Sequence, residues 1–300
     1  MDWYKVKEKS AGKKRLLLTW FLYKILGIKI AIIIAFIVAF ITFITNKDLR
    51  KYSLKYFEIL YKYTQDKALK PTLLNAFKHT FSYAESLAYK MEAFAGKYDN
   101  NNIHFIDNNT KQILFKQIKC KEGILFISSH IGNIDILKSF LTDNNYVKPT
   151  SISIFLQKEH CTTFNNFINS IGKNFDSLKI YPIEDIDLST VSELDEDLKN
   201  GGIAFIAGDR IAANNPDKNI EVDFLNNKIL LPQGTFKLAK ILDYNTYFIS
   251  ALKAKSGYDI YLKSVNSQDK NIVEEYTNFL EKMIKIAPYQ FYHFYDIFVE

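Results

Sequence analysis

Gly123–Leu137 reads GILFISSHIGNIDIL. An apolar-rich run of strand length, Gly123 to Ser128, goes straight into His130, and Gly132 and Asn133 follow. Glycine tolerates unusual backbone angles and asparagine caps helices well. The stretch therefore reads as a buried strand, a sharp turn and a helix from about Asn133, with Asp135 in the first helical turn. In an α/β sheet, ligands and reacting groups gather outside the carboxyl ends of the strands, which is where His130 falls. The spacing alone carries little: 5 His and 33 acidic residues in 300 give about half a His-x4-Asp/Glu match by chance. Position carries more. Across a loop-to-helix junction the Asp135 carboxylate can fold back onto a ring nitrogen of His130, leaving the other nitrogen as a base for a hydroxyl. The alternative is a capped helix start that holds a hydrogen-bonded histidine.

The same alternation continues on both sides. Leu49–Tyr63 and Pro71–Phe94 have helical spacing, with Pro71 at a helix start, where proline is tolerated. From about Asn102 short β-branched runs alternate with amphipathic segments. Ile113–Phe115, Gly123–Ser128, Ser151–Leu156, Leu178–Tyr181, Ile203–Ala207, Tyr247–Ala254 and Tyr258–Ser264 read as strands. Helices are predicted near Thr162–Ile171, Ser189–Asn200, Thr235–Leu242 and Asn271–Ile286, and Asn214–Lys218 (NNPDK) as a loop. This order predicts an α/β fold: a largely parallel central sheet flanked by helices.

Two further stretches could carry chemistry. IAFIAGDR places Asp209 and Arg210 immediately after a strand. The Arg210 fork could clamp a phosphate or carboxylate, or pair with Asp209 and nearby acids. Leu231–Thr235 (LPQGT) is a turn feeding a helix, where backbone amides around Gln233 and Gly234 could hold an anion, or simply a turn and cap.

Leu26–Thr45 is twenty residues with one charge, Lys29, long enough to cross a bilayer. Basic residues flank it on both sides, Lys5, Lys7, Lys9, Lys13, Lys14, Arg15 and Lys24 before, and Lys47, Arg50, Lys51 and Lys55 after. No small-residue cleavage site follows. Residues 1–47 are expected to be a membrane-anchoring helix and 48–300 the α/β domain with a helical lead-in. A buried core helix is the alternative. Charge on both flanks leaves orientation open, and a helix lying in the inner leaflet suits the composition as well as a full span.

Hydrophobic residues at 48%, charged at 24% and a net charge of +6 describe a globular chain suited to an anionic membrane or an acidic partner. Two cysteines, Cys120 and Cys161, in no CxxC or His-Cys spacing, speak against a disulfide framework or zinc site and fit a reducing compartment. There is no Gly-x-Ser-x-Gly elbow, GxGxxG, P-loop or HExxH. His79, His104 and His160 are scattered, so no metal is expected. The basic N-terminus could touch nucleic acid, but a membrane accounts for both its lysines and the apolar run.

An apolar N-terminal segment, SSHIGNID, AGDR about eighty residues on, FLNNKILLPQGTFKLAK and the ending APYQFYHFYDIF occur in that order. Together they resemble the lysophospholipid acyltransferase superfamily, in particular its lipid A late acyltransferase-like branch, over most of the chain. Asp135 stands where lipid A enzymes usually have Glu, Phe291 where the ending usually has Trp, and Phe224–Asn227 lacks the usual Gly. The resemblance implies a bacterial inner-membrane enzyme, its catalytic domain on the cytoplasmic side. It would move an acyl chain from acyl carrier protein or coenzyme A to a hydroxyl of a lipid acceptor, with no other cofactor. His130 would take the proton and Asp135 orient the ring. Amides of Gly132 and Asn133, or Arg210, would meet the oxyanion, with Asp209, Gln233 and Gly234 contributing to substrate binding. The superfamily's Glu-Gly-Thr-Arg phosphate box is replaced by Gln233-Gly234-Thr235-Phe236, which ranks glycerol-phosphate or lysophospholipid acylation second. A non-catalytic lipid-binding or scaffold protein of the same fold is the third reading.

Overall fold

The computed structural model describes residues 13–98, 102–136, 149–170, 177–211 and 216–299. Most of the helix expected from Asn133, part of the Asn214–Lys218 loop, and Lys5, Lys7 and Lys9 lie outside these residues. The chain folds as a mixed α/β structure with a mostly parallel seven-stranded sheet, flanking helices and an N-terminal apolar helix.

The sheet order is β1 (Ile103–Phe105), β9 (Tyr258–Val265), β8 (Asn245–Lys253), β2 (Ile124–Ser128), β5 (Ile203–Ala207), β3 (Ile152–Leu156) and β4 (Leu178–Pro182). The run from β8 to β4 is parallel, while β9 pairs antiparallel with β8 and carries β1 alongside it. Central strands buried on both faces must be apolar at every position. In β2, Leu125 and Ile127 enter one core and Ile124 and Phe126 the other, and Phe126 stacks on Phe205 of β5 with ring centroids 4.8 Å apart.

Helices α2 (Lys47–Thr64), α6 (Leu188–Lys199), α7 (Gln233–Leu242) and α8 (Ile272–Ile286) supply apolar residues to the first core, and α4 (Asn108–Lys119) to the second. α5 (Lys158–Ser170) follows β3. A second antiparallel sheet joins β6 (Asn219–Phe224), β7 (Asn227–Pro232) and the C-terminal β10 (Phe298–Val299). Ile113–Phe115, expected as a strand, lies inside α4. Asp107 caps that helix by accepting from the amides of Asn109 and Thr110, and Leu114 and Ile118, four apart, form its buried stripe.

α1 (Lys13–Thr45) is broken at Gly27, whose φ of 74° and ψ of 176° are not helical. Its Thr19–Thr45 part is long and apolar enough to cross a membrane, with a mean hydropathy of 2.8. It runs antiparallel along α3 (Leu73–Phe94). Phe43 and Phe36 meet Phe77, Phe36 also meets Phe81, and Tyr23 joins a cluster with Met91 and Phe94. The opposite side, including Ile33, Ile37, Ile41 and Ile44, is exposed.

Candidate active site

β2 and β5 are neighbours in a parallel register that sets Ser128 opposite Ala207. Each chain leaves its strand there, and two residues on stand His130 and Asp209. Their meeting is therefore a consequence of sheet order. His130 Nδ1 donates to Asp209 Oδ1 at 2.8 Å, and the His130 backbone amide donates to Oδ2 at 2.6 Å. The strand ends are braced: Gly208 N and the Tyr276 hydroxyl of α8 both donate to Ser128 O, at 2.9 and 2.7 Å.

A second imidazole completes the cluster. His293 Nε2 donates to Asp209 Oδ2 at 3.0 Å, and its Nδ1 accepts from the Tyr295 hydroxyl at 2.9 Å. Burial pushes the Asp209 carboxyl up, but the two imidazoles outweigh it and hold the group well below the usual carboxylate range. An ionised carboxylate only accepts, so both facing ring nitrogens carry protons. Burial lowers His293; its bond to Asp209 opposes this, and the charges of Arg210 and His130 add to the lowering. His293 is thus a neutral donor. The His130 side chain is 33% exposed, and its Nε2 has no hydrogen-bond partner among the described residues. With Nδ1 protonated, Nε2 presents a lone pair outward and can accept a proton.

Several expected site residues sit differently. Asp135 forms an ion pair with Lys90 of α3 at 2.6 Å, and the carboxylate bonded to His130 is Asp209. The turn between explains why. Gly132 N donates to Gln290 O and Asn133 N to Ala251 O, at 2.9 and 2.8 Å, which pins the loop to β8 and the C-terminal segment. The helix start beyond it carries Asp135 to α3. The same two bonds occupy the amides expected to meet an oxyanion, so Gly132 and Asn133 hold the loop in place. At Gly132, φ is +72° and a Cβ would lie 2.1 Å from Ala251 O. Arg210 adjoins Asp209. Gln233 and Gly234 open α7, whose first turn is tied to the end of β5 by Thr235 Oγ1 donating to Ala207 O at 3.0 Å.

His293 and Tyr295 were missed by sequence reasoning, although a histidine amid the aromatics of APYQFYHFYDIF is the signal that could have found them. The segment is fastened by Tyr292 N donating to His130 O at 2.9 Å and by His79 Nε2 donating to Phe291 O at 2.7 Å.

His130, Asp209 and His293 are also metal-ligand types, with their ligand atoms within 4.8 Å of one another. A cation among them would displace the protons on both facing nitrogens and compete with the His130 amide for Oδ2. The hydrogen-bonded arrangement satisfies each of these atoms as it stands.

No protein-family model matches the chain, and no curated protein matches it either.

Proposed function

We propose that the chain is a membrane-associated acyltransferase, moving a fatty acyl group from a thioester of acyl carrier protein or coenzyme A to a hydroxyl of a lipid or glycolipid acceptor. The observation that carries this reading is His130, its Nδ1 bonded to buried, ionised Asp209 and its Nε2 open at the carboxyl edge of the sheet. The motif order that resembles the lysophospholipid acyltransferase superfamily and its lipid A-like branch supports the choice of reaction.

In this reading Nε2 of His130 takes the acceptor hydroxyl proton as the oxygen attacks the thioester carbonyl. The tetrahedral intermediate collapses, the C–S bond breaks, and the departing thiolate takes the proton back from His130. Asp209 stabilises the imidazolium formed in between. Such general base catalysis contributes about 10²–10⁴-fold. The Gly132 and Asn133 amides are engaged, and Arg210, beside Asp209, is the oxyanion partner in this reading. The glycerol-phosphate alternative is weakened further, because Phe236, in the place of the phosphate-box arginine, is buried against Tyr276.

The apolar outer face of α1 would seat the protein on the bilayer. Thioester carriers are cytoplasmic, so the α/β domain would face the cytoplasm at a bacterial inner membrane.

The test is acyl transfer in membranes carrying the wild-type chain or His130→Ala, with labelled acyl carrier protein and then acyl-coenzyme A as donor. A new acylated lipid formed by wild type alone, read by mass spectrometry of the lipid extract, is expected. Identical lipid profiles with both donors would overturn the enzyme reading in favour of a lipid-binding scaffold.

A further inference from the structure

Asp209 faces two imidazoles that differ in kind. His130 is partly exposed and ends the β2 strand, whereas His293 is buried, belongs to a segment more than 160 residues away in sequence, and has both ring nitrogens engaged. Tyr295 fills Nδ1 of His293 as a donor, so the ring proton is fixed on Nε2, the atom facing Asp209 Oδ2. Oδ1 is left for His130. The backbone carbonyl of His130 is itself tied to the same segment through Tyr292 N.

We propose that His293 is a positioning residue of this site, one that clamps Asp209 through Oδ2 so that Oδ1 stays aimed at His130 Nδ1, with Tyr295 setting its tautomer. The proposal rests on the reading of His130 as the base but makes its own prediction about His130. Removing the N–H from Oδ2 leaves the carboxylate less stabilised, so it holds the His130 proton more tightly. The affinity of His130 for a proton then rises.

The experiment uses the full chain in detergent with ¹⁵N-labelled histidine, whose five residues give few enough ring signals to assign by single substitutions. His130 is titrated in wild type, His293→Leu, His293→Gln and Tyr295→Phe, and acyl transfer is followed against pH for each. His293→Leu is expected to raise the His130 midpoint by about half a unit to one unit. The acid limb of kcat should move up with it, and kcat at neutral pH should fall about tenfold or more with KM unchanged. His293→Gln, which keeps an N–H donor, should restore most of both, and Tyr295→Phe should show a smaller effect of the same sign. An unmoved His130 midpoint in folded His293→Leu, or equal losses for Gln and Leu, would overturn the proposal. If Leu fails to fold, the Gln and Tyr295→Phe titrations decide it. Absence of acyl transfer in wild type would count against the proposed function alone, since the titration is read without it.

Discussion

Asp209 is a buried carboxylate that stays charged, because three donors converge on it: two ring N–H groups and the His130 amide. An amide in its place could not carry the charge that stabilises an imidazolium, so Asp209→Asn should cut turnover by about 10²–10⁴-fold while the protein stays folded. Asp135→Asn should instead leave turnover near wild type. It removes the charge that Lys90 pairs with, in a contact whose side chains are only 25% and 14% exposed, at about 3 kcal/mol of stability. Steady-state rates and urea midpoints of the two variants separate these effects; a dead Asp135→Asn beside an active Asp209→Asn would restore the pairing that the His-x4-Asp spacing suggests. His79 makes a prediction in pH. Burial lowers it from 6.5 to about 4, against the pull of its bond to Phe291 O and helped by nearby His293. Above pH 6.5 both folded and unfolded states are neutral there and the contribution is whole. Between 6.5 and about 4 the unfolded chain binds a proton that the native state refuses, so stability falls with acidification, by about 3 kcal/mol in all. Urea unfolding across that range should show the slope in wild type and a shallower one in His79→Gln, where buried His293 still contributes in the same direction.

Between residue and fold, the turn after β2 is the element on which the site depends. Gly132→Ala would force a side chain into both a left-handed φ and the Ala251 carbonyl, and should cost about 3 kcal/mol or more by thermal or chemical unfolding. The apolar runs of β2 and β5, and the helix caps, are local signals, and these elements were readable with both His130 and Asp209 at strand ends. Their partnership was not, since it depends on β2 and β5 being neighbours 79 residues apart, which no local pattern encodes. Ile113–Phe115 misled because three β-branched or bulky residues imitate a strand when the Asp107 cap upstream is ignored. The β6–β7 hairpin went unseen because its turn uses Leu225 and Asn226 at φ of 52° and 58°, with no glycine to announce it. His293 was hidden in the same way, by a long-range fastening of an aromatic ending to α3 and the β2 loop.

At the scale of the molecule, the proposed membrane association turns on how α1 would meet a bilayer. The sequence alone allowed crossing or lying flat, and the packing bears on the choice. Phe43, Phe36 and Tyr23 hold α1 along α3 over its length, and α3 carries Glu85 and Lys90, ion-paired to Lys253 and Asp135 of the α/β domain. α1 could not cross a membrane in this arrangement without dragging those charges with it. Leu73 and Leu74 of α3 are exposed as well, and Lys47 and Lys51 stand in the first turns of α2, directly after α1. The proposed seating is therefore in the interface plane. In a Cys120→Ser background, which removes the exposed native thiol, Lys24→Cys and Lys47→Cys should both react with an impermeant maleimide from the same side of sealed vesicles. Ile37→Asp with Ile41→Asp should release the protein from anionic vesicles while leaving its fold intact. Labelling of the two cysteines from opposite sides would mean that α1 leaves α3 and spans the bilayer.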